Sequence, residues 1–118
     1  MNPITLIRIA AGFCLLAVAL GAFGAHALKA TLQASGMMDA WNKAVLYHLV
    51  HAVALLAVAL NGAGNRASYY LLAAGILLFS GSLYTMALSN VRWLGAITPV
   101  GGLCFLAGWA WLVIAPRV

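Results

Sequence analysis

Three histidines and a group of hydroxyl-bearing side chains are the residues of this chain best suited to chemistry. His48 and His51 are three positions apart, a spacing that places both on one face of a helix. Imidazoles and hydroxyls can bind a metal, move a proton or hydrogen-bond a ligand. We predict one ligand pocket from nine residues: His26, Tyr47, His48, His51, Ser80, Ser82, Tyr84, Thr85 and Thr98.

The elements that must position these residues are four apolar stretches of membrane-spanning length. The chain is 66% hydrophobic and only 6% charged, too few charges to cover a water-soluble surface. The length of each stretch is close to the ~20 residues that a helix needs to cross the hydrocarbon core. We therefore predict an all-α integral membrane protein, a single domain over 1–118. Its up-down-up-down four-helix bundle has helices at about 6–28, 41–61, 68–88 and 94–115.

An up-down-up-down order brings the candidate residues together. The end of the first helix, the start of the second, the end of the third and the start of the fourth share one leaflet. His51 and Ser80 should lie roughly 10 to 15 Å below that interface. Polar groups at such depth are costly unless they find partners, so they should face the bundle interior. The opposite halves are almost wholly apolar, which predicts a one-sided polar pocket.

Small residues indicate close contact between helices. Ala17, Gly21 and Ala25 recur every four residues in the first helix. Small residues let helix backbones approach one another in lipid, where burial of leucine gains little. The expected packing positions are Ala17, Gly21, Ala25, Gly81, Gly101, Gly102 and Gly108.

The six basic residues give a formal net charge of +5, but they lie singly near helix ends. There they anchor helices at headgroups, so nucleic acid is not an expected partner. Arg8, Arg66 and Arg117 share one side, and Lys29, Lys43 and Arg92 share the other. Because this count is even, the terminal amine decides, and we predict cytoplasmic termini.

Metal and enzyme chemistry are both disfavoured. His26, His48 and His51 would offer the three imidazoles that zinc or copper accepts. No carboxylate or thiolate lies at their depth to balance the charge, so we expect neutral, hydrogen-bonding histidines with no metal and no cofactor. A nucleophilic Ser80 or Ser82 would need His51 as its base, with no acid to orient it. We therefore expect no enzyme.

Four sequence blocks resemble those of one family. The blocks are Gly-Ala-Phe-Gly-Ala-His at 21–26, Tyr47 with His51, Phe-Ser-Gly-Ser-Leu-Tyr at 79–84, and Thr-Pro-Val-Gly-Gly at 98–102. Together they resemble the signature of the family called domain of unknown function 423. The resemblance implies a four-helix, multi-pass protein of the bacterial cytoplasmic (inner) membrane, and it implies no activity. Glutamine is usual in that family where His48 stands here, so the resemblance implies no three-histidine metal site.

Two classes of function remain after these exclusions. The first is a binding or accessory protein whose pocket holds a lipid, a quinone or another small ligand. The second is a small transporter or channel built from oligomers. A metal- or quinone-binding redox accessory protein is a less favoured alternative to both. A conducting path needs polar groups in both leaflets, which favours binding. The expected partners are membrane lipids, with a homo-oligomer or a larger membrane complex as the assembly.

Overall fold

The computed structural model describes residues 1–62 and 64–118, and every regular element in them is helical. The elements are α1 (Pro3–Ala25), α2 (Lys29–Ser35), α3 (Met38–Leu60), α4 (Arg66–Gly75), a π-helix (Ile76–Ser80), α5 (Gly81–Ser89), a 3-10 helix (Arg92–Ala96) and α6 (Thr98–Ile114). Four segments are long and apolar enough to span a membrane: Pro3–Ala25, Met38–Leu60, Arg66–Ser89 and Arg92–Ile114. The predicted all-α, four-helix membrane fold is confirmed.

The first helix begins and ends earlier than its apolar run does. The Thr5 backbone N–H donates to the Asn2 Oδ1 at 2.8 Å, and Pro3 occupies the first helical turn. An Asn cap followed by proline is a strong start signal, because it satisfies or removes the free N–H groups of the first turn. The helix therefore covers Pro3–Ala25, whereas the sequence indicated about 6–28.

A short helix, α2, lies outside the four predicted spans. It covers Lys29–Ser35, ends at Gly36 with φ of 73°, and buries Leu32 completely. Glycine is the residue that adopts this left-handed conformation without a steric cost. Leu32 joins Met37, Trp41 and Ala87 in a buried cluster that closes this end of the bundle.

The third and fourth spans both depart from regular α-helix. The third changes to a π-helix at Ile76–Ser80, which inserts one extra residue between α4 and α5. The fourth begins as a 3-10 helix over Arg92–Ala96, and α6 follows with proline in its first turn. These irregular turns decide which side chains of each span face a neighbouring helix.

Helix packing is dominated by two hairpins. The helix α1 packs chiefly on α3, while α6 packs chiefly on α4 and the π-helix. The third span also packs on α3 along its whole length, so α3 and α4 to α5 form the middle of the bundle. The main core joins all four spans: Leu6, Ala10, Ala52, Leu55, Ala59, Tyr69, Leu72, Ile76 and Phe105.

Candidate functional site

An aromatic cleft opens between α3 and α6, with the π-helix as its floor. Its volume is about 620 Å³, within the range of roughly 300–1,000 Å³ that is usual for small-molecule sites. The cleft is lined by Tyr47, His51, Phe79, Pro99, Gly102, Leu103, Phe105, Leu106 and Trp109. Apolar and aromatic walls with few polar groups are typical of a ligand pocket.

His51 is fixed in the wall of this cleft by hydrogen bonds at both ring nitrogens. The Nδ1 atom lies 2.7 Å from the Tyr47 carbonyl oxygen, and the Trp109 Nε1–H donates to Nε2 at 3.0 Å. A carbonyl only accepts and an indole N–H only donates, so Nδ1 carries the proton and the imidazole is neutral. The ring also stacks on Phe105, with centroids 3.7 Å apart. The His51 ring therefore forms a planar and rigidly held part of the cleft lining.

Tyr47 provides the hydroxyl of the cleft. Its ring packs against Phe79 at a centroid distance of 4.7 Å, and the side chain is 42% exposed. No other lining residue carries a hydroxyl group. Since both His51 nitrogens are occupied, the Tyr47 phenol is the polar group best placed to meet a ligand.

His48 points to the other side of α3. Its Nδ1 lies 2.9 Å from the Tyr84 hydroxyl, and its ring meets the edge of Phe13 on α1. The side chain is 3% exposed, and its Nε2 has no hydrogen-bond partner. Together with Tyr84 it lines a smaller apolar cleft of about 150 Å³ between α1 and the third span.

The three imidazoles therefore do not form one site. His26 lies at the C-terminal end of α1 and is exposed. His48 and His51 face different helices despite their spacing. In the described ranges 1–62 and 64–118, no group of three histidine, cysteine or acidic side chains could hold a metal ion.

Three of the six predicted hydroxyl groups donate to backbone carbonyls. Ser80 is fully buried and its Oγ donates to the Ala44 carbonyl at 2.8 Å, which ties the π-helix to α3. Ser82 donates to the Phe79 carbonyl and lies 2.7 Å from the Thr98 hydroxyl on α6. Thr85, which is exposed, donates to the Gly81 carbonyl in its own helix. Hydroxyl groups in lipid commonly satisfy carbonyls in this way.

The nine predicted pocket residues are thus dispersed. Tyr47 and His51 line the main cleft, whereas His48 and Tyr84 line the small one. Ser82 and Thr85 border a shallow groove beside the 3-10 helix. Polar residue type could not predict the direction of each side chain, and the π-helix further rotates α5 relative to α4. The aromatic and apolar walls of the cleft carried no signal that separates them from lipid-facing residues.

Only some of the predicted small packing residues are closely approached by a neighbouring helix. A Cβ on Gly101 would overlap the Phe79 backbone, and one on Gly108 would lie 2.8 Å from Leu72. Ala17 is buried, and a Cβ on Gly21 would lie 3.2 Å from Val45.

Three of the expected packing positions make no such contact. Ala25 is exposed, a Cβ on Gly81 would meet nothing within 4 Å, and one on Gly102 would stay 4.0 Å from Phe79. The sequence analysis also missed two tight contacts, Gly24 against the Trp41 indole and Gly75 against the Phe105 ring. A spacing of four residues reports one helix face, and the partner helix decides which positions on that face are approached.

Comparison with known proteins settles the family. The model for "Protein of unknown function (DUF423)" matches residues 20–102. The chain belongs to this family. It is 44% identical over 107 residues to the UPF0382 membrane protein YwdK of Bacillus subtilis, covering 86% of both chains. The UPF0382 inner membrane protein YgdD of Escherichia coli K12 is 45% identical over 103 residues, covering 82% of this chain and 77% of that protein.

A staphylococcal relative shows a similar identity and coverage. A UPF0382 membrane protein of Staphylococcus epidermidis is 46% identical over 105 residues, covering 86% of this chain and 85% of its own. No solved structure matches. The protein is therefore a membrane protein of the DUF423 family, and the side on which its termini lie stays a prediction.

Proposed function

We propose that the protein is a non-enzymatic membrane binding protein that holds an apolar ligand in the cleft between α3 and α6. The observation that carries this proposal is an aromatic cleft of about 620 Å³ on membrane-spanning helices. His51 follows Met38 by thirteen residues, so it lies ~20 Å along α3, near the middle of that helix. A ligand at this depth reaches the cleft from the bilayer.

The hydrogen bonding around the cleft supports binding more than catalysis. Both His51 nitrogens are already engaged, by the Tyr47 carbonyl and the Trp109 indole. A general base must have a free lone pair within reach of the group it deprotonates. His51 would have to lose its bond to Trp109 before it could activate a serine.

The same bonding also favours binding over conduction. An ion path requires polar groups that replace the hydration shell of the ion. Ser80 is buried against the Ala44 carbonyl, and Ser82 is paired with Thr98, so these hydroxyl groups hold helices together. The cleft itself is walled by Phe79, Phe105 and leucines.

Filling the cleft tests this function. Gly102 lines it, and a Cβ there would be 4.0 Å from Phe79, so Gly102→Leu places its side chain in the ligand space. Gly12→Leu is the matched control, since a Cβ on Gly12 meets nothing within 4 Å. We expect native mass spectrometry of gently extracted protein to show a retained lipophilic molecule. Its occupancy should fall about tenfold in Gly102→Leu, and little in Gly12→Leu.

Two results would contradict the proposal. One is wild-type protein that retains no lipophilic molecule under conditions where the fold is intact by circular dichroism. The other is equal retention by the two leucine variants. Proton or cation flux in liposomes that Gly102→Leu abolishes would instead support the transporter alternative.

A further inference from the structure

A second cleft continues the first one along the same pair of helices. It has a volume of about 380 Å³ and lies toward the loop that joins α3 to α4. Its lining residues are Ala54, Ala57, Val58, Asn61, Asn65, Trp109 and Leu112. Trp109 lines both clefts, so its indole is the boundary between them.

We call the two clefts, with Trp109 between them, the crevice: the aromatic cleft is its upper part and the second cleft is its lower part. On α3 the lining residues run from Tyr47 to Asn61, fourteen positions apart. At 1.5 Å per residue this length is ~21 Å, which exceeds one leaflet of a hydrocarbon core ~30 Å thick. A chain-like molecule fits this shape better than a compact one.

The lower end of the crevice is polar, and its two asparagines are hydrogen-bonded to the backbone of a basic residue. The Asn61 and Asn65 side-chain amides donate to the Arg117 carbonyl at 2.9 and 2.8 Å, and the Arg117 N–H donates to the Asn65 Oδ1 at 2.8 Å. These bonds hold the backbone of a basic residue at this end, and Arg66, the first residue of α4, follows Asn65 in the chain. At the opposite end, the first turn of α3 contains Asp39, the single acidic side chain, and Lys43 follows one turn later.

We propose that the crevice binds an amphiphile with an anionic headgroup, and that Trp109 sets how far its chain enters. This inference rests on the proposed function and names the ligand class. The headgroup lies at the Asn61 and Arg117 end, because cations near the surface attract anionic lipids. The chain follows Ala54 and Val58 upward, passes the Trp109 indole and ends in the aromatic cleft.

Trp109 is suited to this limiting role by its position and its tether. The side chain is 41% exposed, so it is not locked in the core, and its hydrogen bond to His51 holds the indole across the crevice. Removing the indole would widen the passage between the two clefts. A longer chain could then extend further into the region lined by Phe79 and Phe105.

The experiment is native mass spectrometry of the purified full chain in detergent. The added probes are lysophosphatidylglycerol and lysophosphatidylcholine, each with a short and a long acyl chain. Wild-type protein should retain the anionic lipid about fivefold better, and Arg117→Gln should remove this preference. The substitution leaves the Arg117 backbone hydrogen bonds in place, so the fold is not expected to change.

A second variant tests the role of the indole. Trp109→Ala should raise retention of the long-chain lipid relative to the short one. Trp111→Ala is the control, because Trp111 is an exposed aromatic residue of the same helix that lines neither cleft.

Each outcome bears on one proposal. Equal retention of both headgroups by wild-type protein, or the same chain-length profile in both tryptophan variants, overturns this inference. If Gly102→Leu still reduces retention in that case, the proposed function stands. If wild-type protein retains none of the four probes and no native lipophilic molecule, the proposed function fails with it.

Discussion

The two sides of α3 differ in how they are filled. The closed side carries Trp41, Ala44 and His48 against α1 and the third span, where side chains are buried and hydrogen-bonded across helices. The open side carries Tyr47 and His51 toward α6, where a cleft remains. One helix thus separates an interface whose cleft is only about 150 Å³ from a candidate binding site of about 620 Å³.

The difference shows that the partner helix decides the role of a polar residue. His48 meets the Tyr84 hydroxyl and the ring of Phe13, so its imidazole is enclosed. His51, three positions later, meets Phe105 and Trp109 on α6, beside the aromatic cleft. Substitutions on the closed side should therefore cost stability, while those on the open side should change ligand retention.

The largest expected contrast is between two tryptophans. Trp41 is 1% exposed and donates to the Leu20 carbonyl at 2.9 Å, so Trp41→Ala should lower the free energy of unfolding by about 3–5 kcal/mol. Trp109→Ala should lower it by only about 1 kcal/mol, the worth of one hydrogen bond, since the side chain is 41% exposed. Unfolding in detergent, followed by circular dichroism, measures both. Equal losses of unfolding free energy in the two variants would contradict the distinction between the closed and open sides of α3.

A smaller contrast is expected between two glycines of α1. A Cβ on Gly24 would overlap the Trp41 indole, so Gly24→Ala should destabilise the protein by about 1–3 kcal/mol. Gly12→Ala meets nothing within 4 Å and should stabilise the helix, by up to about 1 kcal/mol. The same unfolding measurement applies. An unchanged free energy of unfolding in Gly24→Ala would mean that the Trp41 indole can shift to make room for the added methyl group.

The smallest contrast separates bonds between helices from bonds within one. Ser80→Ala removes the donor to the Ala44 carbonyl and should cost about 1 kcal/mol. Thr85→Ala removes a bond to the carbonyl of Gly81 in the same helix, on an exposed face, and should change stability by less than about 0.5 kcal/mol. A Thr85→Ala effect as large as that of Ser80→Ala would contradict this assignment of roles.

The sequence was sufficient for the spans and insufficient for the site. Hydrophobicity and length predict four helices because lipid leaves few alternatives for the backbone. The Asn2 cap moved the start of α1, and the π-helix at Ile76–Ser80 was not predicted, since no residue type there requires it.

The candidate site depended on directions that a single sequence does not contain. Polar type singled out His51 and Tyr47, which do line the cleft. It also selected Ser80 and Thr98, whose hydroxyl groups have structural partners instead. Phe79, Phe105 and Trp109 form most of the walls, yet apolar residues in a membrane helix look the same whether they face lipid, a neighbour or a cleft.

The π-helix has a consequence for how the gene can change by insertion or deletion. Its extra residue offsets α5 from α4 by about a quarter turn. Deleting one residue within Ile76–Ser80 would restore a straight α-helix, and it would turn Tyr84 away from His48 and Ser82 away from Thr98. An in-frame loss of one codon would therefore change the contacts of the third span with α3 and with α6 together, although it leaves the hydrophobic length of that span nearly unaltered.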